Sequence, residues 1–329
     1  MLNKYAKAIA LVMLAISAGV TAHAQSVKGS ITLPGQPAQA AVNYLTNKIY
    51  VAQPSFGGPA DSLAIVDGST DTVVGSISIP PIAFAVAVDV VRNEIYVGGS
   101  FTDANGIQQS EIAAVNGFTK RVDRIVPVTT TNGAGIQSIS VDSITGTVFV
   151  ANASDNVIDV ILQGGRTVKT TISVGESPFG VTVNPINCTV YVALSDGTVD
   201  VIDGHRYTIT TTTPVGTANA GIAVNWTTGN VFVTNNVFGI STVGVLNSAG
   251  SVLANVTVGN TPLGIDVDLG TNLAFVANTQ NNRVSVIDGK TNTVTATLFV
   301  AGQYVTVNPV TQKVYVTGKT NMLTVLNEK

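Results

Sequence analysis

Few side chains in this sequence could act as nucleophiles, bases or metal ligands. The 329 residues include one cysteine, Cys188, and two histidines, of which only His205 lies outside the predicted leader described below. A Ser-His-Asp or Cys-His scheme needs a base beside its nucleophile, and a His-ligated metal cluster needs several imidazoles. The sequence contains no CxxC, HExxH, Walker A or dinucleotide-binding fingerprint. We therefore interpret Cys188 as a buried filler residue rather than a reactive thiol, and His205 as a solvated turn residue.

The remaining chemistry belongs to carboxylates, which can bind a divalent cation through oxygen atoms. Asp266 is the candidate centre of such a metal site, and Asp155, Glu176 or Asp196 from surrounding loops are its candidate partners. Whether these side chains can meet depends on the elements that position them.

Those elements form an internal repeat. An aromatic residue followed by valine occurs seven times, at successive distances of 46, 53, 42, 41, 43 and 40 residues. The seven pairs are Tyr50-Val51, Tyr96-Val97, Phe149-Val150, Tyr191-Val192, Phe232-Val233, Phe275-Val276 and Tyr315-Val316. A valine followed by Asn or Asp precedes each pair, and runs such as VIDG at 286–289 and TVTATLFV at 293–300 follow. Each unit is therefore expected to form four short strands separated by Asx and Gly turns.

A period near 40 to 45 residues with four strands per unit is typical of a β-propeller blade. We predict an all-β fold, a seven-bladed β-propeller with four antiparallel strands per blade. The last unit supplies only three strands, whereas SVKGSITL at 26–33 aligns with fourth strands such as SVLANVTV at 251–258. The N-terminal strand should therefore complete the last blade and close the ring.

Several of the aromatic-Val pairs extend to a four-residue motif: FVAN at 149–152 and 275–278, FVTN at 232–235 and YVTG at 315–318. These motifs resemble the YVTN-type β-propeller repeats, and the resemblance extends over nearly all of residues 25–329. Blades one, two and four depart from the motif, with YVAQ, YVGG and YVAL. The resemblance implies a propeller; such repeats serve as binding and surface scaffolds and are also near enzymatic propellers.

Residues 1–24 have the features of a secretory signal peptide. Lys4 and Lys7 precede an apolar run at 8–20, and Ala22-His23-Ala24 provides a cleavage site. The apolar run is too short to favour a transmembrane anchor, and no later segment is long enough to span a membrane. We expect residues 25–329 to form the propeller domain and to lie in the periplasm or outside the cell.

The charge distribution bears on the kind of partner. The whole chain has 16 basic and 19 acidic residues, and the leader contains two of the lysines and no acidic residue. Residues 25–329 therefore have 14 basic and 19 acidic residues, which gives a net charge of −5. This argues against a nucleic-acid partner, because no basic run is present to bind phosphates.

Repetition separates structural polar residues from candidate binding residues. Asp67, Asp203 and Asp288 recur at one turn of the blade and are predicted to shape it. Asp266, in contrast, is the only charged residue at its position in the innermost strands. We expect it near the central channel, held either by Thr hydroxyls and backbone N–H groups or by a ligand. Tyr304 stands where most blades have a small residue, and would either plug the channel or face a ligand.

The loops that join the second and third strands are long in blades one, two and five. They carry Phe56, Phe101 and Phe238, which either form a recognition surface or fold back to pin their loops. The sequence favours a non-catalytic binding propeller whose loop-rich channel face takes a protein, a glycan or a small molecule. The alternatives are a lactonase- or lyase-like enzyme with a carboxylate-bound divalent cation and, third, a structural cell-surface component.

Overall fold

The computed structural model describes residues 25–55, 61–103, 105–128, 135–237, 240–318 and 320–328. The regular structure of these residues consists of 28 strands, β1 to β28, arranged in seven four-stranded sheets. All neighbouring strands within a sheet are antiparallel. Within these ranges, no helix is long and apolar enough to cross a membrane. The predicted seven-bladed propeller is confirmed.

The first six blades each follow the chain order from the innermost strand outward. Blades one to three contain β2 (Ala40–Asn43), β3 (Lys48–Gln53), β4 (Asp61–Asp67), β5 (Thr72–Ile79); β6 (Ala85–Asp89), β7 (Glu94–Thr102), β8 (Gln108–Asn116), β9 (Arg121–Val128); β10 (Ile136–Asp142), β11 (Thr147–Asn152), β12 (Val157–Ile161) and β13 (Thr170–Ser173). Blades four to six contain β14 (Pro178–Asn184), β15 (Thr189–Leu194), β16 (Thr198–Asp203), β17 (Thr208–Pro214); β18 (Asn219–Asn225), β19 (Asn230–Val237), β20 (Ile240–Leu246), β21 (Val252–Thr257); β22 (Pro262–Val267), β23 (Leu273–Asn278), β24 (Arg283–Asp288) and β25 (Thr293–Leu298).

Blade seven combines the two ends of the described chain. It contains β26 (Tyr304–Asn308), β27 (Lys313–Thr317), β28 (Met322–Asn327) and, outermost, β1 (Ser26–Thr32). The register pairs Ser26 with Asn327 and Thr32 with Met322. This arrangement confirms the prediction that the N-terminal strand completes the last blade. The ring is therefore closed by hydrogen bonds between strands and not by loop contacts alone.

The core consists of seven apolar layers, one between each pair of neighbouring blades. The aromatic residue of each repeat lies in the second strand of its blade and is at most 1% exposed. Tyr50 of blade one, for example, packs in one cluster with Ile95 and Val97 of blade two. Because each sheet is covered on both faces by its neighbours, its central strands are apolar on both faces, as in VSVIDG at 284–289.

Recurrent Asx residues shape the turns, as predicted. Asn43 Oδ1 accepts hydrogen bonds from the backbone N–H groups of Leu45 and Thr46. The turn then ends at a residue with positive φ, between 53° and 81°, three positions before each aromatic residue. These residues are Asn47, Asn93, Gly146, Cys188, Gly229, Asn272 and Gln312. Asn and Gly tolerate this conformation well, which explains their predominance there.

Candidate ligand-binding site

The strand order gives the propeller two different faces. The first strands of neighbouring blades contact one another around the ring and therefore surround the central channel. Because each blade is an antiparallel meander, the connections between its second and third strands and those between blades share one face, here called the loop face. The turns between the first and second strands and between the third and fourth strands share the opposite face, here called the turn face.

The loop face contains a cavity of about 800 Å³. Blades one, two, three and seven line it; its residues include Gln36, Asp61, Ile82, Phe84, Phe101, Thr102, Gln137, Gln303 and Tyr304. Two residues singled out by the sequence, Phe101 and Tyr304, thus come together in one lining. Ligand pockets in proteins commonly have a volume of about 300 to 1,000 Å³ and combine apolar walls with a few polar groups, as this cavity does.

Two contacts across the channel form the floor of this cavity. Tyr304 of blade seven and Phe84, next to the first strand of blade two, pack edge to face with ring centroids 6.2 Å apart. Gln39 of blade one donates from Nε2 to the backbone oxygen of Gln137 in blade three, at 3.0 Å. Neither contact joins adjacent blades, so both span the opening. A smaller cavity of about 110 Å³, also lined by Gln39 and Tyr304, lies within the channel. Tyr304 therefore obstructs the channel and lines the larger cavity at the same time.

The cavity offers little charge to a ligand. Burial raises the pKa of Tyr304 to about 12, against a smaller opposing effect of its hydrogen bond with Gln39, so the phenol is neutral at physiological pH. The Asp61 carboxylate accepts hydrogen bonds of 2.7 Å from the backbone N–H groups of Ser55 and Ala83, one to each oxygen. Asp61 thus organises the connections around the cavity, and each of its carboxylate oxygens accepts one of these bonds.

Sequence comparison between blades did not identify Phe84. When the innermost strands are aligned, Phe84 lies one position before the position that Tyr304 occupies in blade seven. Phe179 of blade four lies at the same position as Phe84. A comparison of the blades at this position would therefore identify Phe84. The two remaining candidate aromatics, Phe56 and Phe238, lie outside the described residues.

Asp266 lines a different opening, the turn-face mouth of the channel, which has a volume of about 210 Å³. Its Oδ2 accepts a hydrogen bond of 2.8 Å from the Val307 N–H of the next blade, and its Oδ1 accepts one of 2.8 Å from the Val267 N–H. Burial raises the pKa of Asp266 to about 6, although these two bonds and a hydrogen bond with the Thr306 side chain oppose the shift. The carboxylate is held by a Thr side chain and backbone N–H groups, one of the two arrangements left open by the sequence.

The other candidate metal ligands lie on the loop face, away from Asp266. Asp155 and Asp196 follow second strands, and Glu176 lies between blades three and four. Asp196 Oδ1 accepts hydrogen bonds from both the backbone N–H and the hydroxyl of Thr198, at 2.9 and 2.7 Å, and so shapes its own turn. Among the described residues, no group of three or more His, Cys, Asp or Glu side chains is placed to hold a metal ion. The structure does not bring the four predicted carboxylates together.

Cys188 and His205 occupy turns on the turn face. Cys188 is 3% exposed, and burial, aided by Asp142, raises the pKa of its thiol to about 12. His205 is exposed, and its backbone N–H donates to Asp203 Oδ1 at 3.0 Å.

The architecture defines the chain as a seven-bladed β-propeller with a ligand-sized cavity on its loop face. Among solved structures, it is similar to Kuenenia stuttgartiensis hydrazine synthase, with a TM-score of 0.73 and 18% sequence identity over 93% of this chain and 98% of the matched chain. At this level of identity, the similarity concerns the fold alone. Neither a protein-family model nor a curated protein matches the chain. Membership of the YVTN repeat family therefore stays a prediction from the motifs.

Proposed function

We propose that this protein is a secreted or periplasmic binding propeller, and that its loop-face cavity takes an uncharged polar ligand of the saccharide class. The observation that carries the proposal is the aromatic floor formed by Tyr304 and Phe84 beneath a cavity of about 800 Å³. A cavity of this size accommodates two or three sugar rings.

The chemistry of the lining is complementary to a sugar. The C–H faces of a pyranose are apolar and pack against aromatic rings, here Phe84, Tyr304 and Phe101. The hydroxyl groups of a sugar need both donors and acceptors, and the amide of Gln303 and the hydroxyl of Thr102 can supply both. A few polar groups beside apolar rings would fix the orientation of the ligand.

The charge of the lining favours a neutral ligand over an anionic one. Asp61 is the only carboxylate among the described lining residues, and it accepts hydrogen bonds from the N–H groups of Ser55 and Ala83. No Lys or Arg belongs to that described lining. An anionic ligand would therefore lose hydration on entering without gaining a counter-charge, which is costly.

The proposed compartment rests on the leader. Lys4 and Lys7, the apolar run at 8–20 and the cleavage motif at 22–24 support export by a signal peptide. A binding propeller outside the cytoplasm would meet the glycans of envelopes and of the surroundings.

A glycan panel tests the proposal. Neutral di- and trisaccharides of glucose, galactose, mannose and N-acetylglucosamine would be compared with uronic acid and sulfated analogues by saturation-transfer NMR. We expect at least one neutral class to bind and its charged analogues to bind at least tenfold more weakly. A Phe84→Ala variant should lose about fivefold or more in affinity, because aromatic contacts of this kind contribute on the order of 1 kcal/mol.

Phe299→Ala is the matched control, since Phe299 is 76% exposed and stacks against Arg283 in blade six, outside the cavity lining. It should leave binding unchanged. Failure of every neutral saccharide to bind, or equal binding to Phe84→Ala, would overturn the proposal.

A further inference from the structure

The turn-face mouth of the channel combines a carboxylate with aromatic rings. Tyr44, Trp226, Leu269 and Pro309 line it, and each directly follows the Asn or Asp residue that begins the turn after an innermost strand. They therefore occupy equivalent positions in blades one, five, six and seven. Asp266 lines the same cavity of about 210 Å³.

We propose that this mouth is a second binding site, specific for a small organic ammonium ion, with Asp266 as the counter-charge and Trp226 and Tyr44 as the aromatic walls. It lies at the opposite end of the channel from the loop-face cavity. The Tyr304–Phe84 and Gln39–Gln137 contacts lie between the two openings, so that this inference does not depend on the proposed saccharide site.

The hydrogen bonds of Asp266 position its charge without neutralising it. A carboxylate has about four lone-pair sites, and the N–H groups of Val267 and Val307 together with the Thr306 side chain use three. All three partners are uncharged. The described lining of this mouth contains no Lys or Arg. Burial disfavours the charged form of Asp266, which has no cation beside it in that described lining, and a cationic ligand would relieve this penalty.

The surroundings of Asp266 suit an ammonium ion better than a metal. Ca²⁺ is usually bound by several carboxylates among its roughly six to eight oxygen ligands, whereas the described lining contains one carboxylate, Asp266. The faces of Trp and Tyr rings attract cations within about 6 Å and are the usual walls of sites for quaternary ammonium groups. A volume of about 210 Å³ admits an ion as small as tetramethylammonium or the head of a choline-like ligand.

The ionisable groups around the mouth predict how binding depends on pH. The pKa of Asp266 is raised to about 6, so that its charge is lost as the pH falls through that value. Asp268 is the neighbouring acid and raises the pKa of Asp266 further. Tyr44 stays neutral, because burial and the charge of Asp89 raise its pKa to about 12. Affinity for an ammonium ion should therefore increase as the pH rises through about 6.

The single tryptophan of the chain provides a direct readout, since it is Trp226 itself. Tetramethylammonium chloride would be titrated into the full-length protein while tryptophan fluorescence is recorded, with NaCl at equal ionic strength as the reference. We expect a saturable change at pH 8 that NaCl does not produce, and an affinity about tenfold lower at pH 5. Asp266→Asn should lose at least tenfold in affinity, and Tyr44→Leu, which keeps the carboxylate, should lose severalfold.

Three results would overturn the proposal. These are a fluorescence response that does not saturate or that equals the NaCl response, unchanged affinity between pH 8 and pH 5, and undiminished binding to Asp266→Asn. If Asp266→Asn does not fold, the pH comparison on the unmodified protein and the affinity of the Tyr44→Leu variant still test whether the mouth binds an ammonium ion. Tight binding of Ca²⁺ that displaces tetramethylammonium would also count against it, because the mouth would then be a metal site.

Discussion

Tyr304 and Phe84 meet at an interplanar angle of 90°, with ring centroids 6.2 Å apart, although they belong to blades seven and two. Edge-to-face pairs contribute about 0.5 to 1.5 kcal/mol beyond the burial of their surface. This pair links two blades that are not neighbours and obstructs the channel below the loop face. This aromatic pair makes the cavity asymmetric, although the seven blades repeat the same fold.

Closure of the ring depends on apolar contacts of the N-terminal strand. Ile31 of β1 is 7% exposed and packs with Leu323 and Val325, whereas Val27 in the same strand is 50% exposed. Ile31→Ala should lower the free energy of unfolding by about 2 to 4 kcal/mol, because it leaves a cavity between blades seven and one. Val27→Ala should change it by less than about 0.5 kcal/mol. Urea unfolding followed by circular dichroism measures both, and equal effects would contradict the role of β1 in closure.

A hydrogen bond between turns reinforces the same junction. Asn308 Nδ2 donates to Asn47 Oδ1 at 2.8 Å, and Asn47 has a φ of 53°. Asn47→Gly keeps the backbone conformation and removes this bond, together with the one to Ser69, so a loss of about 1 to 2 kcal/mol is expected. Asn47→Ala should lose about 1 kcal/mol more, because alanine disfavours positive φ. The midpoint temperature of thermal unfolding should therefore be highest for the unmodified protein, lower for Asn47→Gly and lowest for Asn47→Ala. A higher midpoint for Asn47→Ala than for Asn47→Gly would refute this explanation.

Stability should decrease as the pH rises from about 4 to 6. Burial raises the pKa of both Asp159 and Asp266 from 3.8 to about 6, so in this range the folded protein binds more protons than the unfolded chain. Each group contributes up to about 3 kcal/mol to the decrease, which is complete above pH 6. Asp67, whose pKa is lowered to about 2 mainly by its hydrogen bond with Lys48, acts in the opposite direction only at lower pH.

Urea unfolding at pH 4.5, 5.5 and 7.0 measures this dependence. Asp266→Asn removes one of the two titrating groups, so its stability should vary less with pH than that of the unmodified protein. A free energy of unfolding that increases across this range in the unmodified protein would show that the sign is wrong.

Cys188 should be unreactive in the folded protein. Its thiol is buried, and its pKa is raised to about 12, so that almost no thiolate exists at pH 8. Ellman's reagent should label less than about 5% of the protein within an hour under native conditions and one thiol per chain in guanidinium chloride. Rapid labelling of the native protein would mean that this turn opens readily.

Much of the architecture could be predicted from the sequence because it is repeated. Tyr50 and its six equivalents specify where second strands lie, and the turn residues specify where strands end. The pairing of β1 with blade seven followed from the missing fourth strand of the last unit. Strong local patterns that agree seven times leave few alternative folds.

The site was less predictable because it depends on departures from the repeat. The charge of Asp266 distinguishes it in the sequence, but its separation from Asp196 follows from strand direction. Asp266 lies near the end of a first strand, whereas Asp196 follows a second strand. The equivalent positions of the repeats can single out Phe84, but only the structure shows that its ring meets Tyr304. Such contacts between blades two and seven have no local signature in the sequence.

Calorimetric titration tests whether the loop-face cavity binds a saccharide. The neutral saccharide with the highest affinity would be titrated into the unmodified protein, into Tyr304→Phe and into Tyr304→Ala. The loop-face cavity predicts that Tyr304→Phe retains the affinity to within about threefold, since the ring that forms the floor remains. Tyr304→Ala should weaken binding at least tenfold while the protein stays folded. Equal affinity of the folded Tyr304→Ala variant and the unmodified protein would contradict the claim that this cavity is the ligand-binding site.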